Sequence, residues 1–310
     1  MSARQKILVI RLGAFGDVLQ SEGAIHDIRL AHPGSELTLL TTKPFRRLFE
    51  RCPWVDRILI DPRAPRLHLL SLLKLRRTLR DERFDAIYDL QNSNRTLMYR
   101  NWLEAAWSQK DEAFLAVQSR RLGRRLSILE RLRLQLEQAG IATNHTLHPN
   151  VDWMADDAAA LMAANGLKPG FILLFPGSSL RHPQKRWPFY GSLADSLQKS
   201  GHTVVTAPGP DEMELCQALP CPALLDNGKP ISFNALAGLI QQASLVIGND
   251  TGPIHLSAYL GASGIALFGP HTSARATGLD AFLEIIEVAA LDTLKPETVM
   301  ARFAQLTARR

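Results

Sequence analysis

The sequence predicts an α/β protein built from two parallel-sheet domains of similar size that face each other across a cleft. Two observations predict it. Short apolar runs alternate with amphipathic helical stretches, and that alternation passes through the chain twice. The two passes meet near 145–170, where His148-Pro149-Asn150 and Lys168-Pro169-Gly170 flank an acidic helical stretch. A length of 310 residues suits two domains, at roughly 100–200 residues each. The expected domains are 1–150 and 151–310.

In the first half, Lys6–Ile10 is an apolar run ending near Gly13, as a strand buried on both faces would be. Residues 17–31 repeat apolar side chains at helical spacing until His32-Pro33-Gly34 stops them. Strand 36–41, a short helix 45–51 closed by Pro53, strand 57–60, a basic amphipathic helix 67–83 and strand 84–90 follow. The second half reads strand 171–175, helix 188–200 ended by Gly201, strand 202–207 and short helix 211–218. Helix 233–243, strand 244–248, helix 252–260 and strand Gly264–Phe268 complete it. Strand–helix–strand units of this kind imply Rossmann-like sheets covered on both faces. Ligands of such sheets bind outside the carboxyl ends of the strands.

Composition narrows the function. Hydrophobic residues make up 46% and charged residues 21%, which fits a packed globule and not a disordered chain. The net charge of +6 is uneven: residues 1–150 hold 25 Lys/Arg against 16 Asp/Glu, and residues 151–310 hold 11 against 14. The first half is therefore expected to meet something anionic. Three cysteines, Cys52, Cys216 and Cys221, are too few for a disulfide scaffold or a four-cysteine zinc site and fit a reducing cytoplasm. No apolar stretch is long enough to span a bilayer. The basic stretches 63–83 and 120–133 lack the interleaved aromatics that stack bases, so no nucleic acid is expected and a phosphate or membrane-surface role is the better functional reading beside a solvated helix face. No acidic or histidine cluster has metal-ligand spacing, so no metal cofactor is expected.

Four loops that follow strands could carry chemistry. Arg11-Leu12-Gly13-Ala14-Phe15-Gly16-Asp17 places Gly13 and Gly16 where a backbone can approach a ligand. Its G-x-x-G spacing and the Thr41-Thr42-Lys43 end of strand two do not match a dinucleotide fingerprint. Asp17 is either a helix cap or a general base. Phe175-Pro176-Gly177-Ser178-Ser179 followed by Lys185-Arg186-Trp187-Pro188 offers hydroxyls, a lysine and helix amides to an anion without being a P-loop. Gly209-Pro210-Asp211-Glu212 offers a carboxylate to a ribose or to a helix N-terminus. Gly248-Asn249-Asp250-Thr251-Gly252-Pro253-Ile254-His255-Leu256 runs from a strand through an acidic turn into a helix, a phosphate cradle with His255 one turn in.

Together these motifs resemble glycosyltransferase family 9, the ADP-heptose–lipopolysaccharide heptosyltransferases. The resemblance runs from Ile7 to about Gly278, with four motifs in family order. Residues 12–18 resemble the G-D-[VI] motif, Lys185-Arg186-Trp187-Pro188 the K-x-W-P element, and Gly209–Glu212 the glycine–glutamate turn. Asp250–Leu256, with Phe268-Gly269-Pro270 downstream, resembles the D-T-G-x-x-H-L signature. Two stretches depart from the family pattern: Gln20-Ser21-Glu22 stands where a His-Thr pair is common, and Asp89-Leu90-Gln91-Asn92 also differs.

The resemblance implies the GT-B architecture, with the acceptor on the first domain and the nucleotide-sugar on the second. It implies that the last helix, Pro296–Thr307, packs back onto the first domain. It implies Asp17 as catalytic base, Lys185 on the donor phosphates, and Ser178 and Ser179 near them. Glu212 is implied on the ribose, and Asp250, Thr251, Gly252 and His255 at the donor. Arg63, Arg66, Arg120 and Arg124 are the basic residues expected to meet an anionic acceptor. The implied reaction is inverting transfer of a heptose-like sugar from an ADP-sugar to a lipopolysaccharide core or related lipid-linked saccharide. It would take place in the cytoplasm, with peripheral contact at the inner membrane. Two other readings stay open: another nucleotide-sugar on the same fold, or an inactive sugar-nucleotide-binding or assembly protein.

Overall fold

The computed structural model describes residues 4–63, 68–103, 106–107 and 126–308. The chain forms two compact units, Met1–Trp153 and Met154–Arg310. Each is a five-stranded, all-parallel sheet with helices between its strands. This is the pair of parallel-sheet α/β domains that the sequence predicts.

In the first unit the strands are β1 (Lys6–Ile10), β2 (Glu36–Thr42), β3 (Arg57–Asp61), β4 (Ala86–Asp89) and β5 (Ala106–Trp107), in the order β3-β2-β1-β4-β5. Strand β1 pairs with β2 from Lys6↔Glu36 to Ile10↔Leu40 and with β4 from Ile7↔Ala86 to Ile10↔Asp89. Its residues 7–10 are fully buried, which is why the run carries no polar alternation. Leu8, Ile10, Leu40 and Ile87 pack with Leu75, Leu79, Phe84 and Tyr99 as one core.

In the second unit the strands are β6 (Ile172–Phe175), β7 (Val204–Thr206), β8 (Leu245–Asn249), β9 (Gly264–Phe268) and β10 (Glu284–Glu287), in the order β10-β9-β8-β6-β7. Both sheets reverse direction of growth beside their first strand: at β1/β4 in the first and at β6/β8 in the second. Such switch points leave a crevice at the carboxyl edge.

Two expectations change. The helix expected over 17–31 is two helices, Phe15–Gln20 and Glu22–Ala31, joined at Ser21, whose hydroxyl donates back to the Val18 carbonyl at 2.7 Å. Side-chain donation to the preceding turn competes with the helix ladder and bends the chain there. The helices Asn94–Arg100 and Ile128–Gln138 and the strand β10 also belong to the sheets' coverage and edge. The last helix, Pro296–Thr307, lies in the second unit, where Val299 and Phe303 join a core with Leu193, Leu197 and Trp187. Its apolar stripe is narrow, and the Tyr190–Lys199 helix supplies the matching surface.

Candidate active site

The site in the second unit is assembled at the carboxyl ends of β6 and β8. The register aligns Phe175 with Gly248, so the turn after β6 runs beside Asn249 and Asp250. Gly248 has to be glycine, because a Cβ there would lie 2.7 Å from both Phe175 and Ile254. Asn249 is fully buried. Its Nδ2 donates to the carbonyls of Pro176 and Gly177 at 2.9 and 3.1 Å. Its Oδ1 accepts from Trp187 N and Tyr190 Oη, both at 3.2 Å. One side chain therefore fixes the β6 turn and the Lys185-Arg186-Trp187 segment to β8.

Asp250 is the centre of charge. Its Oδ2 accepts from Lys185 Nζ and from Thr272 Oγ1, each at 2.5 Å, and Oδ1 accepts from His255 Nε2 at 3.3 Å. An ionised carboxylate only accepts, so His255 donates through Nε2. Burial alone raises the Asp250 carboxyl, but the hydrogen bond and charge of His255, with those of Lys185, outweigh it and hold the group well below the usual carboxylate range. Thr251 is the N-cap of the Gly252–Tyr259 helix, with Pro253 in its first turn. The helix thus opens directly beside the Lys185–Asp250 pair, and its first amides favour negative charge.

Ser178, Ser179 and Glu212 complete that edge. Ser178 is buried and its hydroxyl is engaged within its own loop, donating to the His182 carbonyl at 2.9 Å and accepting from Arg186 Nε at 3.2 Å. Ser179 is exposed. Glu212 Oε2 accepts from Gly209 N at 2.9 Å, and its carboxylate lies against Gly177, where a Cβ would come within 1.9 Å of Oε1. Burial pushes the Glu212 carboxyl up, partly offset by Gly209 and the Arg186 charge.

In the first unit, Asp17 sits in the first turn of the Phe15–Gln20 helix and not at its N-cap, which is Ala14. Its Oδ2 accepts from Ala14 N at 3.0 Å, and its half-buried carboxylate faces Arg11 Nη2, 3.6 Å from Oδ1. Arg11 is itself buried, donating through Nε to the Asp17 carbonyl at 2.9 Å and through Nη1 to the Leu90 carbonyl. Arg131, on the Ile128–Gln138 helix, is a second cation within electrostatic reach of Asp17. Gly13 has φ +128, and a Cβ there would lie 2.9 Å from the Phe45 ring. Gly16 lies in the helix's first turn. Behind this loop Asp89 ends β4, fully buried, and burial raises its carboxyl to about 6 against the opposing amides of Asn92 and Gln91 and the Arg11 charge.

The sequence matches the family described as glycosyltransferase family 9 (heptosyltransferase) over residues 72–300. The chain belongs to this family. Lipopolysaccharide heptosyltransferase 2 of Escherichia coli K12 is 24% identical over 295 residues, covering 86% of this chain and 83% of that protein. Lipopolysaccharide heptosyltransferase 3 of E. coli is 36% identical over 89 residues, a match that spans 26% of this chain and 25% of that relative. Among solved structures, a family 9 glycosyl transferase from Veillonella parvula superposes with a TM-score of 0.82 at 19% identity, covering 100% of this chain and 99% of the other. The E. coli ADP-heptose lps heptosyltransferase II gives 0.76 at 21%, covering 98% and 99%. E. coli heptosyltransferase WaaC with ADP-2-deoxy-2-fluoro heptose gives 0.73 at 17%, covering 97% and 99%. These likenesses give the fold.

In this family 9 glycosyltransferase, the second unit gathers Lys185, Asp250, Thr251, Gly252 and His255 at one sheet edge, with Glu212 on the neighbouring turn. Of the basic residues expected to meet an acceptor, Arg63 is exposed, with φ +50 and its amide donating to Asp61 Oδ1 at 2.7 Å. Arg66, Arg120 and Arg124 lie outside the described residues. The divergent Gln20-Ser21-Glu22 stretch is buried, and Glu22 accepts from Trp54 Nε1 at 2.7 Å and Asn150 N at 2.8 Å. Asn249, Thr272 and Arg11 received no role from the sequence. A lone polar residue ending an apolar strand was the available signal for Asn249 and Arg11. Nothing local marks Thr272, which reaches Asp250 only through the β9 loop. Among the described residues, no group of three or more His, Cys, Asp or Glu side chains is placed to hold a metal ion.

Proposed function

We propose that the chain is an inverting glycosyltransferase that moves a heptose-like sugar from an ADP-sugar to the core of a lipopolysaccharide or a related anionic, lipid-linked saccharide. The observation that carries the donor half is the Lys185–Asp250 pair at the opening of the Gly252–Tyr259 helix. As a sugar diphosphonucleoside reacts, the anomeric carbon becomes oxocarbenium-like and negative charge grows on the departing diphosphate. Lys185 and the first helix amides are suited to stabilise that charge. Asp250 holds Lys185 and His255 in place, so little reorganisation is needed as charge develops. Glu212, whose carboxyl is pushed up by burial, is suited to a ribose hydroxyl. In this reading Lys185 and the amides take the part a divalent cation plays elsewhere, and transfer survives a chelator.

The acceptor half rests on Asp17. Its carboxylate is half exposed and held beside Arg11, open to an incoming hydroxyl as a general base must be. Asp17 takes the acceptor hydroxyl's proton while the oxygen attacks the anomeric carbon from the side opposite the diphosphate. One displacement inverts the centre. The basic first half attracts a phosphorylated or carboxylated acceptor.

Two measurements test this reading. Asp17→Asn is expected to lower turnover at least 100-fold, the usual contribution of a general base being about 10²–10⁴, with donor binding retained; transfer at the wild-type rate refutes the base assignment. In a thermal-shift series with ADP, UDP, GDP and NAD, ADP is expected to stabilise most. Preference for NAD would replace the transferase reading with an oxidoreductase.

A further inference from the structure

The Leu69–Glu82 helix has two faces of different chemistry. Leu72, Leu75 and Leu79 point into the first unit's core and are at most 7% exposed. Half a turn round the helix lie Leu70, Leu73, Lys74, Arg77 and Arg80, all exposed. Leu69, Leu70 and Leu73 are 66%, 85% and 55% exposed. Six large apolar side chains are exposed among the described residues, and three of them fall within this five-residue stretch. Beyond it the same face turns cationic. Against Lys74, Arg77, Arg80 and Arg83 stand two exposed carboxylates among the described residues: Asp81, 3.6 Å from Arg77, and Asp85, which lines a pocket with Arg80 and Arg83. Leu73, Arg76, Arg77, Arg80 and Arg83 line a common groove.

Exposed leucines followed by cations define the partner. A soluble anionic saccharide has no use for three leucines. A second copy of the chain would press the same cationic stretch against itself. An anionic phospholipid bilayer satisfies both halves, with an acyl boundary for the leucines and phosphates for the cations. We propose that the Leu69–Glu82 helix is a membrane-surface anchor, whose first turns bury Leu69, Leu70 and Leu73 in an anionic bilayer while Lys74, Arg77, Arg80 and Arg83 lie among the headgroups. No helix among the described residues is long and apolar enough to cross a membrane, so attachment through this helix is to one leaflet. The inference deepens the lipid-linked acceptor reading above, yet it stands on this surface and is tested without sugar transfer.

The full chain is sedimented with phosphatidylcholine vesicles containing or lacking phosphatidylglycerol. Wild type is expected to partition onto the anionic vesicles and to be released by high salt. L69S/L70S/L73S is expected to lower partitioning by on the order of tenfold or more, from the lost apolar burial. K74Q/R77Q/R80Q is expected to lower it about fivefold per cation and to erase the difference between vesicle types. Melting temperatures should stay at the wild-type value, and Leu70→Ser alone, at the most exposed position, gives the same direction if the triple variant folds poorly. Wild type that ignores anionic vesicles, or variants that bind them as wild type does, would overturn the proposal. So would a concentration-dependent dimer that the leucine variant converts to monomer without any vesicle binding. Stabilisation by ADP, measured on the same variants, reports separately on the donor-site reading.

Discussion

Replacing Asp250 by asparagine keeps the shape of the Lys185–Asp250–His255 network and removes its central negative charge. In the wild type Oδ2 accepts from Lys185 and Thr272 at 2.5 Å and Oδ1 accepts from His255 at 3.3 Å. Asparagine has one oxygen, so either Lys185 and Thr272 or His255 must face an NH2 group that only donates. Asp250 is 6% exposed, and water cannot supply the missing acceptor. Removing one partner of a buried pair costs about 3–5 kcal/mol. Lys185 keeps 21% exposure and can turn outward, which lowers the expected loss to about 2–3 kcal/mol, the scale of a hydrogen bond to a charged group. The pH dependence has a fixed sign. The folded carboxyl titrates below its unfolded value, so its stabilisation is complete above the ordinary aspartate range and is lost as pH falls through the folded value. Urea unfolding of both chains, followed by circular dichroism from about pH 8 to about pH 3, brackets that range. The gap between them should narrow by about 1.4 kcal/mol for each pH unit below about 4. A gap that stays constant down to the lowest pH, or is absent at neutral pH, would refute the charge-network argument.

Gly177→Ala places a methyl group where the Glu212 carboxylate now lies, 1.9 Å from Oε1, so Glu212 must move; KM for the donor is expected to rise several-fold with kcat less affected, and unchanged donor kinetics would remove Glu212 from the donor site. Asp89 titrates near about 6 in the fold, so its contribution is complete below the ordinary aspartate range and declines as pH rises through that value. Asp89→Asn should therefore gain stability relative to wild type between acid and neutral pH, by at most about 3 kcal/mol; urea midpoints at both ends of that window check it. Arg11→Lys loses the fork that holds the Asp17 carbonyl, the Leu90 carbonyl and the Asp17 carboxylate together. It is expected to lower kcat while leaving donor KM unchanged; a change confined to KM would contradict a positioning role.

The repeated strand–helix grammar was legible because strands buried on both faces carry unbroken apolar runs, and β1, β6, β8 and β9 are such runs. The glycines were legible for a related reason. Gly248 sits where a strand and a helix touch, and Gly13 where a backbone takes a left-handed φ beside Phe45. The break at Ser21 was not legible, since an apolar period continues across it and a single hydroxyl decides the bend. Nor was the inward use of Ser178. A serine after a strand looks the same in sequence whether its hydroxyl meets a ligand or closes its own loop.

The sequence by itself determined the two α/β domains, the four candidate loops at strand ends and the family to which the chain belongs, because periodicity and motif spacing are local properties. Only the tertiary structure decided which of those loops meet. Parallel register brings Gly177, Lys185, Asn249 and Asp250 to one edge of one sheet across more than 70 residues of chain, and crossover connections leave no trace of that proximity in the order of the residues. It likewise decided that Pro296–Thr307 belongs to the second unit and that three leucines of the Leu69–Glu82 helix face outward. An amphipathic pattern states that a helix has an apolar face, and only packing selects which apolar residues find a core to enter.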